Sequence, residues 1–219
     1  MTYINSNVLY DITRTINPGI AVWPGDSPFQ MDVIAAMAEG SSVNLTTIHL
    51  SSHTGTHADA WWHYSEDGAR IGSMPLDRYI GPAQVIRVAR TSGGITVADL
   101  GGVDIASAQR ILLHTAISDL PDNQWPEPFP YLTVELVDYL SDHGICLVGI
   151  DSPSVDAVDS KTLPCHNQIR ARGMANLENL QLHGVPDGRY ELIALPLRLE
   201  TACGSPVRAV LRQLANHSG

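Results

Sequence analysis

Three histidines and an aspartate fall within eleven residues of this chain, in Ser51-Ser-His53-Thr-Gly55-Thr-His57-Ala-Asp59-Ala-Trp61-Trp62-His63. All four are competent metal ligands, and neutral imidazole with carboxylate suits zinc or manganese. Their spacing constrains the backbone. On a helix, His53 and His57 share a face but Asp59 leaves it. On a straight strand all four share a face, yet His53 and His63 then stand about 33 Å apart at roughly 3.3 Å per residue. Ligands of one ion sit about 2 Å from it. A single site therefore requires a sharp bend, and Gly55 is placed to permit one because it tolerates backbone angles that other residues avoid. A divalent ion lowers the pKa of a bound water to about 7. A histidine left out of the ligand set can then protonate a leaving group. Metal-assisted hydrolysis is the chemistry to which this segment points. A single histidine is usually a surface or hydrogen-bonded residue, and His49, His114, His143, His183 and His217 read so.

The elements that must position this segment are short. Runs at 8–12, 43–50, 84–88, 110–114, 145–150, 177–182, 190–195 and 207–211 are β-branched, apolar and bounded by turn residues, so they read as strands. The spacing predicts one clear helix over 134–143, with Val134, Leu136, Val137 and Leu140 on one stripe and Gly144 as its stop. Segment 96–100 reads as a loop or short helix, 163–172 as a helical turn, and the Pro-rich 123–130 as a surface loop. Helices do not alternate regularly with strands, which disfavours a doubly wound sheet or a (β/α)8 barrel. The expected fold class is α/β, with a mixed, strand-rich, barrel-like core and few flanking helices. Its 219 residues, 44% apolar and 16% charged, suit one domain spanning 1–219.

Composition removes other function classes. Thirteen basic against 23 acidic residues leave a net charge of −10, the wrong sign for generic nucleic-acid binding. Cys146, Cys165 and Cys203 are too few and too scattered for a disulfide framework. Neither a secretory leader at the N-terminus nor a membrane-spanning run is recognisable, so a cytoplasmic, membrane-free protein is expected. Gly-x-Ser-x-Gly elbows, phosphate-binding loops and dinucleotide fingerprints are absent from the sequence.

The segment His53-Thr-Gly-Thr-His57-Ala-Asp59-Ala-Trp-Trp-His63 resembles the HxGTHxDxxxH signature of the metal-dependent cyclase-like hydrolases. Further blocks make the likeness almost end to end and narrow it to the kynurenine formamidase (arylformamidase) branch. They are Leu9-Tyr-Asp-Ile12, Val22-Trp-Pro-Gly-Asp-Ser-Pro-Phe29, Gly149-Ile-Asp-Ser-Pro-Ser-Val-Asp156, Tyr190-Glu-Leu-Ile-Ala-Leu-Pro-Leu197 and Gly204-Ser-Pro-Val-Arg-Ala-Val-Leu211. The resemblance implies two zinc ions per subunit, with manganese as an alternative metal. It implies His53, His57 and Asp59 as ligands of the first ion, Asp59 bridging, and His166 and Glu178 completing the second. His63 corresponds to the family's acid–base histidine. The implied activity is hydrolysis of N-formyl-L-kynurenine, an aromatic formamide, to L-kynurenine and formate in tryptophan degradation, and the implied assembly is a homodimer. The chain departs from the family in having Trp61 where Pro is common, and Asn167 where a second His often follows the first.

Smaller expectations attach to other residues. Trp23, Trp61 and Trp62 are candidates to line an aryl pocket, or are simply packed. Asp151 and Asp156 either orient a histidine or cap a turn, the second being favoured. Arg208 reads as an ion-pair partner and Cys165 as an inert thiol. Two other functions fit the same residues: a related hydrolase acting on isatin or another cyclic amide or lactone, and a non-enzymatic metal-binding domain.

Overall fold

The computed structural model describes residues 8–214; the N-terminal leader question and His217 lie outside them. In chain order the strands are β1 (Leu9–Asp11), β2 (Gln30–Ala35), β3 (Leu45–His49), β4 (His57–Asp59), β5 (Ile80–Arg87), β6 (Gly93–Ile95) and β7 (Arg110–His114). They continue with β8 (Pro130–Leu132), β9 (Leu147–Ile150), β10 (Ala175–Glu178), β11 (Gly188–Ile193), β12 (Gly204–Pro206) and β13 (Val210–Gln213). Among the described residues there are two α-helices, α1 (Val134–Asp142) and α2 (Pro164–Ala171).

Nine strands form one mixed sheet in the order β1-β13-β11-β5-β7-β9-β10-β4-β12. It curls into a half-barrel, as the strand-rich reading expects. The centre, β5-β7-β9-β10, is parallel and the flanks are antiparallel. Central strands are buried on both faces, as parallel strands usually are. In β7, Leu112 joins one buried cluster while Ile111 and Leu113 join a second on the other face. That second cluster takes Leu136, Val137 and Leu140 from α1 and Ile169 from α2. The helices therefore cover that second face of the central strands, the face to which the side chains alternating with Ala58 and Leu177 also point.

Local chemistry sets the helix ends. Thr133 caps α1 by accepting from the Leu136 N–H, and Gly144 leaves the helix in the left-handed region at φ +80°. Pro164 opens α2, where its missing N–H costs nothing. Residues 97–100 form a 3-10 helix closed by a Thr96–Asp99 capping box.

Several sequence expectations need correction. Strand β10 ends at Glu178, although the sequence suggested 177–182; Leu180 and Leu182 are buried from a loop instead. The expected strand over 207–211 meets the structure only at Val210 and Leu211, the start of β13; β12 lies before it and was not expected. β2, β4, β6 and β8 were not anticipated: β4, β6 and β8 are three residues each, too short to show a period. β2 and β3 form a separate hairpin whose residues are almost all exposed, so burial imposes no alternation on it.

Gly55 makes the expected bend at φ +65°, just before β4. A Cβ there would also press on Ile16 and Ile20 at 3.3 Å. Gly55→Ala is expected to cost about 1–3 kcal/mol, because the native angle disfavours any side chain. Chemical denaturation of the two proteins measures this directly.

Candidate active site

β4 places His57 and Asp59 on one face of the sheet, since they are two residues apart, and turns Ala58 into the core. His53 sits on the loop before the bend. The antiparallel register between β4 and β10 puts Glu178 directly opposite His57. His166 comes from the first turn of α2. These five side chains converge. His53 Nδ1 lies 2.9 Å from Asp59 Oδ1, and His57 Nε2 lies 3.4 Å from both Asp59 Oδ1 and Glu178 Oε2. His166 Nε2 is 3.3 Å from Asp59 Oδ2 and 3.3 Å from Glu178 Oε1.

Two groups of potential ligands result: His53, His57 and Asp59, and Asp59, His166 and Glu178. Asp59 belongs to both through its two oxygens. The donor set is imidazole and carboxylate, and His57, Asp59, His166 and Glu178 are buried. His57 Nε2 and Asp59 Oδ1 are buried with no hydrogen-bond partner, although both face the cluster. Orphaned acceptors at the centre of a buried ligand set are what a cation satisfies, so the residues fit a metal pair.

The histidines are aimed by outer partners, as ligating imidazoles usually are. His57 Nδ1 bonds the Gly55 carbonyl at 2.9 Å, which turns Nε2 inward. Asp156 accepts from His166 Nδ1 at 2.7 Å and also from the backbone N–H groups of Cys165 and His166. Asp156 thus both orients a histidine and caps the start of α2, because that helix begins at the ligand. Asp151 holds no histidine. It accepts from the N–H and hydroxyl of both Thr115 and Ser118, a structural knot. Asn176 was missed in the sequence. It is buried and donates to Asp59 Oδ2 at 2.7 Å and to Glu178 Oε1 at 3.2 Å, holding the two carboxylates side by side. Its only sequence signal is the strand alternation Asn176-Leu-Glu178.

His63 stands apart from both carboxylate groups. It ends the 3-10 turn Trp61–His63, is exposed, and lies with its ring centroid 4.1 Å from that of His53. It faces a cavity of about 450 Å3 lined also by His53, His57, His166, Glu178, Trp23 and Trp125. Trp23 and Trp125 meet edge to face at 5.3 Å, with Phe129 behind them, and form an aromatic wall. Trp61 and Trp62 are not in that wall, which corrects the expectation for them. The 3-10 turn carries both away from the cavity: Trp61 Nε1 donates to the Met174 carbonyl at 2.8 Å, and Trp62 lies under the Arg70 guanidinium at 3.7 Å. Cys203 also lines the cavity and was not anticipated. Cys165 is buried, donates to the Leu132 carbonyl, and burial pushes its thiol pKa up, so it is inert. Arg208 pairs with Asp11 on the surface.

Without a metal, charge pairing governs protonation here. Burial works against a charged imidazole, but the adjacent Asp59 carboxylate and Cys203 sulfur raise His53 to about 10. Burial likewise opposes His57, yet Asp59 and Glu178 raise it to about 9. Burial would raise Asp59, and the three histidines overcome it and hold the carboxyl well below its usual range. The Cys203 thiol is lowered to about 5 by its hydrogen bonds with His53 and His63. The raised histidines stabilise the metal-free fold fully below about 6.5, their unfolded value, and that contribution is lost as pH rises through about 9 and 10. Calorimetry of chelated protein is therefore expected to show falling thermal stability from pH 6.5 to 10. Metal-loaded protein, whose ligands carry no such protons, is expected to lack that slope.

A curled half-barrel sheet with a buried His/Asp/Glu cluster between its β4–β10 strands and α2 defines the class. The Cyclase family model, described as "Putative cyclase", matches residues 10–157, and the chain belongs to that family. Over 205 residues the chain is 44% identical to a protein described as kynurenine formamidase from Salinibacter ruber (strain DSM 13855 / M31), covering 93% of this chain and 97% of that one. A solved structure described as a potential metal-dependent hydrolase with cyclase activity superposes with a TM-score of 0.81 at 29% identity, over 93% of this chain and 96% of that one. Isatin hydrolase A from Labrenzia aggregata, solved bound to benzyl benzoate, gives a TM-score of 0.81 at 25% identity, over 94% and 93% of the two chains.

Proposed function

We propose that this protein is a metal-dependent amide hydrolase that converts N-formyl-L-kynurenine and water to L-kynurenine and formate, with two zinc ions per subunit. The observation that carries this reading is that Asp59 joins two ligand groups while His63 remains free beside them at the cavity. The 44% identity to a kynurenine formamidase supports the substrate. His53, His57 and Asp59 would hold one ion, and Asp59, His166 and Glu178 the other. A divalent pair supplies Lewis acidity to the formyl oxygen and to the attacking water.

The chain's own residues do the rest. Trp23 and Trp125 receive the aryl ring and direct the formamide toward the cluster. His63 takes a proton from the water as its oxygen attacks the formyl carbon, and delivers a proton to the aniline nitrogen as the C–N bond breaks. Asn176 keeps Asp59 and Glu178 in register, and Asp156 fixes the His166 ring.

The isatin hydrolase likeness favours a second reading, opening of a cyclic aryl amide by the same groups. Kinetics on N-formylkynurenine beside isatin, with protein of measured metal content, decide between them. Formylkynurenine is expected to give the larger kcat/KM; a preference for isatin overturns the first reading, and tight metal binding with no turnover of either leaves a metal-binding domain.

The protein is further inferred to be a cytoplasmic homodimer. Free Cys146, Cys165 and Cys203 suit a reducing compartment. No helix among the described residues is long and apolar enough to cross a membrane. The β2–β3 hairpin exposes Met31, Val33, Ile34, Leu45 and Ile48, and a two-stranded ribbon is marginal alone. Pairing with a second copy covers it. Val33→Lys with Ile48→Lys is expected to shift the mass in light scattering from dimer to monomer.

A further inference from the structure

We propose that His53 Nε2, His63 and Cys203 Sγ form a further cation site, open to the cavity, whose filling by a thiophilic divalent ion stops turnover. The proposal rests on the reading of the inner cluster as a metal pair and adds a separate, inhibitory position to it.

The His53 ring has two sides. Nδ1 faces Asp59 at 2.9 Å, so its inner nitrogen is committed. Nε2 points the other way and lies 3.2 Å from Cys203 Sγ. His63 completes the set: one ligand atom from each of the three residues lies within 4.8 Å of the others. Tetrahedral zinc with nitrogen at 2.0–2.1 Å and sulfur at 2.3 Å separates neighbouring ligand atoms by roughly 3.5 Å. The His53–Cys203 edge is close to that already.

Two features of the chain build this geometry. Cys203 precedes β12, whose Gly204 pairs with Asp59 of β4. A Cβ at Gly204 would meet His53 Cε1 at 2.7 Å and Nδ1 at 3.2 Å. The missing side chain therefore lets the His53 ring lie against β12 and reach the thiol. Ser52 Oγ stands 3.2 Å from Sγ and holds it in place.

The ligand types separate this position from the inner one. The inner groups are imidazole and carboxylate and are largely buried; the outer group has a thiol, no carboxylate, and partly or fully exposed members. Soft ions prefer the thiolate. On filling, the thiol proton and the His53 Nε2 proton leave to solvent, and the His53 ring bridges inner and outer ions. His63 becomes a ligand and loses the nitrogen it needs for proton transfer.

The test adds cobalt(II) to protein already loaded with zinc, for wild type, Cys203→Ser and Cys203→Ala. Near-ultraviolet absorbance reports thiolate-to-cobalt charge transfer, and turnover of N-formylkynurenine is read with and without the added ion. Wild type is expected to gain one further equivalent of ion with a thiolate band, and to lose turnover at least tenfold. Both variants are expected to lack the band and to keep their own turnover when the ion is added. A band of equal strength in the variants, or equal inhibition of all three proteins, overturns the proposal. No band in an active wild type also overturns it while leaving the hydrolase reading intact. A band in a protein that hydrolyses no formamide sinks the hydrolase reading and the claim of inhibition, and keeps the site.

Discussion

His63→Ala is expected to lower kcat roughly 100- to 10,000-fold, the usual loss when a positioned acid–base group is removed. Three observations make the expectation specific. His63 faces the cavity, it is absent from both carboxylate-bearing ligand groups, and its ring sits 4.1 Å from the ring of His53. Because it is exposed, its truncation is expected to change stability by no more than about 0.5 kcal/mol. Inner-site metal content, measured by mass spectrometry of protein loaded with stoichiometric zinc, is expected to match wild type. KM is expected to move little, because the aromatic wall proposed to receive the aryl ring, Trp23 and Trp125, is left intact. Full turnover in His63→Ala with normal metal content would remove this residue from the mechanism.

Asp59→Asn is expected to have the larger structural effect. Asp59 is 1% exposed and is the single residue common to both ligand groups. The amide oxygen can keep the bond from Asn176 Nδ2, so packing is preserved and the change is chiefly one of charge. On the proposed two-ion reading its loss would remove a ligand from each position, and affinity at both is expected to fall by more than the roughly 100-fold typical of losing an outer partner. The metal-free protein also suffers, since His53, His57 and His166 are all paired with this carboxylate. Breaking a buried charge pair costs roughly 3–5 kcal/mol, which calorimetry on chelated protein measures. Glu178→Gln provides the contrast: it touches one ligand group, so the first ion is expected to stay. If Asp59→Asn kept two ions and full activity, the shared-carboxylate reading would fail.

How much of this was readable beforehand depends on distance along the chain. The ligand character of His53, His57 and Asp59, the bend at Gly55 and the separate place of His63 all lie within one segment. Local spacing carries such information because backbone geometry over ten residues allows few arrangements. Helix α1 was equally readable from its stripe and stop signal. The directions of Trp61 and Trp62 were not, because a 3-10 turn rather than a strand follows β4, and it rotates successive side chains off the sheet axis.

The second half of the site is a different matter. His166 and Glu178 came from resemblance alone, since nothing in their spacing selects them. Asn176 and Cys203 had no advance signal strong enough to notice. His166 arrives on α2, while the other three reach the cluster through strand register: β10 runs beside β4 so that Glu178 faces His57, and β12 flanks the other edge of β4 and brings Cys203 toward His53. Sequence by itself determined which residues can bind an ion and that the backbone must fold back on itself beside them. Tertiary structure alone decided which distant carboxylate, amide and thiol meet those residues. Pairing between strands more than a hundred residues apart is set by burial of the whole sheet, and no short stretch of chain contains that information.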